Sequence, residues 1–149
     1  MRSAILVLAF WSLATGAVAV EIHVRPDGQG DAPTIQAALD AAADGDVVIL
    51  ADGVFTGPGN RDLDTLGKAV TLRGANGDPA ACVIDAQGQP GAPHRVLTCQ
   101  SGEGPDTVVE AITLTGAYAG PSGGAVRCTG GAAPTFRRCR FTHNTATEN

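Results

Sequence analysis

Aromatic residues are scarce in this sequence: four Phe, one Trp and one Tyr make up 4% of 149 residues. A core here has to be built from aliphatic side chains in many thin layers, because few large rings are present to span a wide interior. Beyond the first twenty residues no apolar run approaches the roughly 20 residues that a membrane-spanning helix needs. The four cysteines, Cys82, Cys99, Cys128 and Cys139, contain no CxxC pair, which argues against a zinc site. His23, His94 and His143 fall in neither HxxxH nor HExxH, and no Ser or Cys stands in GxSxG. The run Asp27-Gly28-Gln29-Gly30 holds a GxG but lacks the rest of a dinucleotide fingerprint. No residue is therefore marked as catalytic, cofactor-binding or metal-ligating, and no cofactor is expected. A net charge of -5 repels phosphate backbones and argues against a nucleic-acid partner. Arg137, Arg138 and Arg140 are the basic exception, read as a solvated strand face.

What the chain does have is turns and aliphatics. It contains 20 Gly and 9 Pro, yet its hydrophobic fraction of 44% is too high for a disordered chain. Its first residues read as an export signal. Arg2 gives a positive start, residues 4–13 are apolar, and Ala17-Val18-Ala19 has the small-x-small form of a cleavage site. A signal peptide over 1–19 predicts a secreted, cell-surface or outer-membrane location, with no membrane span in the mature segment. Export also permits disulfides.

Residues 20–45 are expected to form a strand and a capping helix. In residues 33–43, Ile35, Ala38, Leu39 and Ala42 share one helical face. Asp31 or Thr34 suits the N-cap, Pro33 the first turn and Gly45 the stop. Residues 46–149 read as short strands between turns: 47–50, 69–72, 82–84, 96–99, 108–114, 125–128 and 136–141. A repeat selects the architecture. Leu97-Thr98-Cys99 matches Val126-Arg127-Cys128 at an offset of 29, and Ile112-Thr113-Leu114 matches Cys139-Arg140-Phe141 at 27. Val70 and Leu72 precede Leu97 and Cys99 by 27. Apolar-polar-apolar triplets recurring every 27 to 29 residues predict an all-β fold, a right-handed parallel β-helix solenoid of three or four coils. The short helix should plug its first end, and the coils are expected to continue past Asn149. Cys99 and Cys128 should then neighbour each other on an inward ladder, either as a disulfide or as stacked free thiols.

Two resemblances bear on this reading. Thr34-Ile35-Gln36, Gly45-Asp46 and Asp52-Gly53-Val54-Phe55 resemble the entry segment of pectin-lyase-like β-helix proteins. Gly123-Gly124-Ala125-Val126 and Phe141-Thr142-His143-Asn144 resemble the repeat of chlamydial polymorphic outer-membrane proteins. The preceding unit departs from that repeat, with Leu114-Thr115-Gly116-Ala117 where F-x-x-N belongs. The physical expectation is that the glycines turn the backbone tightly and that Phe141 fills core. Asn144 should bond backbone at a corner and tolerate a left-handed conformation.

Candidate chemistry is sparse. Asp52, Asp85 and Asp106 stand at expected turns and read as turn formers. Asp62 and Asp64 are the best acidic pair, on one face of extended chain beside Arg61, where calcium or sugar contact is the minor reading. The expected role is a structural or binding module, adhesin-like or passenger-like, with a glycan or a host or cell-surface protein as partner. The alternative is the N-terminal part of a polysaccharide lyase, esterase or hydrolase whose catalytic coils lie beyond residue 149.

Overall fold

A computed structural model describes residues 18–147. The positive start and apolar run of the expected signal lie outside the described residues. The chain enters through β1 (Glu21–Val24) and α1 (Ile35–Ala41), followed by β2 (Val47–Leu50), β3 (Gly53–Phe55) and β4 (Leu63–Asp64). The next turn holds β5 (Thr71–Gly74), β6 (Cys82–Asp85) and β7 (Leu97–Cys99). Then come β8 (Val108–Glu110), β9 (Thr113–Thr115), β10 (Tyr118–Ala119) and β11 (Val126–Cys128). The last described turn holds β12 (Thr135–Arg137), β13 (Arg140–Thr142) and β14 (Thr145–Ala146).

Every pairing between these strands is parallel. The sheets run β1-β2-β5-β8-β12, β3-β6-β9-β13, β4-β7-β11 and β10-β14. Within each sheet every strand after the first thus lies on the equivalent strand one turn earlier, which makes the molecule a parallel β-solenoid. The longest sheet has five rungs, more than the three or four coils expected, because β1 supplies a rung before the repeat becomes visible.

In-register stacking turns alternation into ladders. Ile22, Val48, Leu72, Val109 and Phe136 form one inward column. Phe55, Ile84, Leu114 and Phe141 form a second, and Leu63, Leu97 and Val126 a third. In the middle rungs these side chains are sealed from solvent, so the core is a stack of aliphatic layers.

The helix closes one end. Ile35, Ala38 and Leu39 are fully buried against the first strands. Thr34 is the N-cap, with its Oγ1 accepting from the Ala37 amide at 3.2 Å; Asp31 is not, and Pro33 precedes the cap instead of entering the first turn. Asn60 accepts from the Ile35 amide at 3.0 Å, and Lys68 Nζ donates to the Leu39 and Asp40 carbonyls at 2.7 and 2.9 Å. Side chains of the following turn therefore satisfy both ends of a seven-residue helix that would be marginal alone. Extended Ala42 stops it, three residues before Gly45.

Several expected strand boundaries shift. Residues 108–114 and 136–141 are each two strands, not one. Ala111 and Arg138 break them at φ 55° and 51°. A left-handed residue there swings the chain to the next face, so each half joins a different sheet. Arg73 and Gly74, expected as a turn, lie inside β5. The proposed match of Val70 and Leu72 with Leu97 and Cys99 fails: Leu72 pairs with Val109, and Leu97 pairs with Leu63. From Glu21 through Val47, Thr71 and Val108 to Thr135, successive turns take 26, 24, 37 and 27 residues. The long third interval carries the loops that obscured the register.

Candidate functional site

The repeat motif shapes the corner before β11. Gly123 sits at φ 104°, and a Cβ on Gly124 would meet the Thr145 carbonyl group at 3.0 Å. Ala125 is buried, and its carbonyl accepts from the amides of Val96 and Leu97 at 2.9 and 3.1 Å. Asn144 bonds backbone as expected: Oδ1 accepts from the Ala117 amide at 3.0 Å and Nδ2 donates to the Leu114 carbonyl at 2.9 Å. The left-handed residue is its neighbour His143, at φ 53°. Phe141 does not fill core. It is 50% exposed, because β13 is the outermost strand of its sheet; Phe136 meets it edge-on at 5.8 Å. Val126 is partly buried for the same reason. Cys99 and Cys128 are direct register partners, but Cys99 is buried and Cys128 exposed, and both are free thiols in this structure.

The turn carboxylates do local work. Asp85 accepts from the Gln87 amide at 2.9 Å, and Asp52 from Asn76 Nδ2 at 2.9 Å. Asp62 and Asp64 do not act as a pair. Asp64 receives the Leu66 amide at 2.7 Å and Gln100 Nε2 at 3.0 Å. Asp62, at φ 52°, turns the other way, towards residues of the next solenoid turn. Among the described residues no group of three or more His, Cys, Asp or Glu is placed to hold a metal ion. Glu110 meets Arg137 at 3.6 Å and Arg138 at 2.7 Å, so that basic cluster is partly neutralised on the strand face, and Arg140 is exposed.

Asp62 organises the candidate site. Its Oδ2 is 2.6 Å from His94 Nδ1, and its Oδ1 accepts from the Arg95 amide at 2.8 Å. The carboxylate therefore orients the imidazole with an N–H on Nδ1 and turns Nε2 away from it. His94 is fixed from the other side as well, by reciprocal backbone bonds with Tyr118 at 2.9 and 3.1 Å. Arg95 is anchored by its Nη2, which donates to the carbonyls of Gly120 and Pro121 at 3.2 and 3.3 Å. Together with Pro93 and Ala119 these residues line a lateral cleft of about 280 Å³. It presents a carboxylate, an imidazole and a guanidinium just ahead of the paired strands β4 and β7. The sequence hid the dyad because its partners are 32 residues apart and belong to different turns.

A second groove, of about 410 Å³, lies where the loop of residues 25–31 crosses the longest sheet. His23, Arg25, Gln29 and Asp31 rim a floor of Ile49, Ala51 and Ala75. Asp31 also closes the edge of β1: its carboxylate accepts from the His23 amide at 2.8 Å and its amide donates to the His23 carbonyl at 2.7 Å. Asp27 caps the Gln29 amide at 3.0 Å, so the GxG stretch is a loop brace.

Two further carboxylates are buried: Glu103, which the sequence does not mark, and Asp46 of the Gly45-Asp46 stretch. Glu103, 1% exposed, accepts from Thr65 Oγ1 and the Gly67 amide on Oε1, and from the Ser101 amide on Oε2, each at 3.0 Å. Burial pushes its pKa up, but these bonds outweigh burial and hold it below its ordinary value. Asp46 accepts from the amides of Ala43 and Val20, both at 2.8 Å, and those bonds lower its pKa. Comparison with protein-family models, with curated proteins and with solved structures finds no match for this chain.

Proposed function

We propose that this chain is an exported, pectin-lyase-like β-helix module that works by binding, at the cell surface, outer membrane or outside the cell. Its last described turn follows a repeat like that of the chlamydial polymorphic outer-membrane proteins. The observation that carries the reading is the lateral cleft, where Asp62, His94 and Arg95 are held by backbone bonds across adjacent turns. A rigid cleft on the side of a solenoid engages an extended partner at little entropic cost. A glycan, with alternating hydroxyl donors and acceptors, suits its side chains best; a surface protein is the other partner in view.

The test is binding of the purified chain to immobilised glycans and surface proteins, together with protease shaving of intact cells. His94→Ala and Asp62→Asn should each weaken binding at least about tenfold, the equivalent of about 1.4 kcal/mol. Unchanged binding in both variants, or protection of the protein from protease in intact cells, would overturn the reading. A second reading, membership of a polysaccharide-acting enzyme, draws support from the Asp62–His94 pair, since a carboxylate-held imidazole can accept a proton. Release of reducing or unsaturated sugar ends would favour it.

A further inference from the structure

We propose that the Ala19–Val20 bond is a processing site whose product the fold captures: removal of the leader leaves an ammonium on Val20 that pairs with the carboxylate of Asp46. This step rests on the export reading and goes beyond it to the fate of the mature terminus.

The geometry is already that of a pair. Asp46 Oδ1 accepts from the Val20 backbone nitrogen at 2.8 Å, and Oδ2 accepts from the Ala43 amide at 2.8 Å. Val20 is tied on its other side too, because its carbonyl accepts from the Val47 amide at 2.9 Å. Asp46 stands between the end of α1 and the start of β2, and its own carbonyl accepts from the Thr71 amide of the next turn at 3.0 Å. Asp46 is 9% exposed, yet among the described residues no Arg, Lys or His side chain forms an ion pair with it. A carboxylate so enclosed gains from a cation beside it. The neighbouring acids are engaged elsewhere. Glu21 faces Arg73 at 3.8 Å and His23 at 3.9 Å, and Asp44 accepts from the Ala69 amide at 2.8 Å.

The sequence puts the cut at that same nitrogen. Ala17-Val18-Ala19 has the small-x-small form, and Val20 follows it directly. Val18 and Ala19 are exposed and outside any strand, whereas β1 begins at Glu21. Hydrolysis adds one water across the Ala19–Val20 amide. The C–N bond breaks, Ala19 leaves as a carboxylate, and the Val20 nitrogen takes up the proton as an ammonium. One N–H keeps its place on Asp46 Oδ1, and the others take the place of exposed Ala19 and reach solvent. A neutral donor on Asp46 thus becomes a charged one, in a place that water reaches poorly. Leader removal fastens the first rung to the corner between α1 and β2.

The test expresses the full chain in an exporting bacterium and reads the N-terminus of the exported product by mass spectrometry. It should be Val20. That product has two amines, the Val20 terminus and Lys68, the only lysine. Acylation by an N-hydroxysuccinimide ester at pH 7, followed by peptide mapping, reads each of them. A free terminus, with an ordinary pKa of about 7.7–8.0, is the faster amine at that pH. Pairing should slow it about tenfold relative to the Asp46→Asn product, the equivalent of about one pKa unit, while Lys68 reacts alike in both. Concentrated urea should release a similar acceleration at Val20 in the unaltered product, a comparison that needs no variant to fold. A chain retained in the cell with its leader sinks the export reading and the proposal with it. An exported product that starts elsewhere, or a Val20 amine acylated equally fast with and without Asp46 or urea, overturns the proposal alone and leaves export standing.

Discussion

Replacing Glu103 tests whether the solenoid is held by its buried carboxylate as well as its aliphatic ladders. Glu103 is acceptor to three donors, one of them the Thr65 hydroxyl, itself 1% exposed. Its partners come from two turns, since Thr65 and Gly67 follow β4 while Ser101 follows β7. Glu103→Gln keeps the shape but aims an amide N–H₂ at donors and removes the charge, at a cost of about 1–2 kcal/mol. Glu103→Ala leaves the Thr65 hydroxyl without a partner and opens a void, at about 3–4 kcal/mol. Thr65→Val removes one bond and should cost about 1 kcal/mol. Urea unfolding at pH 7 measures all three. Acid supplies the sign. Because the folded pKa lies below the ordinary 4.5, the contribution is complete above that pH and is lost as pH falls through the folded value. The gap between unaltered chain and Glu103→Gln should therefore shrink towards pH 3. A Gln variant as stable as the unaltered chain at pH 7, or a gap that persists in acid, would refute the reasoning.

Asn144→Ala removes both backbone bonds at the corner before β14 and should cost about 1–2 kcal/mol, seen as faster hydrogen exchange of the Ala117 amide. Leu66 and Val54 are about equally exposed, at 49% and 53%, but Leu66 has φ 58° while Val54 lies within a strand. Glycine should thus be tolerated at 66 and cost about 1 kcal/mol at 54, a contrast that urea midpoints read directly. Asp46→Asn should loosen the entry of β1, with the Val20 amide exchanging faster at pH 7. In the unaltered chain the same loosening should set in as pH falls below 3.8 through the depressed value of Asp46.

The fold was legible because stacking writes itself into sequence as repeated triplets. Leu97-Thr98-Cys99 over Val126-Arg127-Cys128, and Thr113-Leu114 over Arg140-Phe141, were read in their true register. The helix was legible from the spacing of Ile35, Ala38 and Leu39. What failed to show was anything carried by one unusual residue or by unequal turns. Ala111 and Arg138 adopt left-handed corners without being glycine, so two strands were read where four exist. The 37-residue interval from Thr71 to Val108 broke the period, and with it the match of Leu72 to Cys99. Strands of two residues, β4, β10 and β14, carry no alternation to detect. Asp62 and Asp64 looked like a pair because they are close in sequence, whereas the partner that matters, His94, arrives from another turn. Glu103 was overlooked because a single acid in SGEGPD reads as loop polarity until its donors are known.

The closed first end gives the molecule a direction in time. Asp31 bonds both backbone groups of His23 on the outer edge of β1, and α1 covers the first layers, so that end of the described stack is capped. Every strand after the first of its sheet lies on one made 24 to 37 residues earlier. A chain synthesised from its N-terminus thus completes its lid once the turn carrying Asn60 and Lys68 has been made, and then offers each emerging turn a template. Assembly can keep pace with synthesis instead of waiting for the whole polypeptide, because beyond that first turn each new rung lies on one already made.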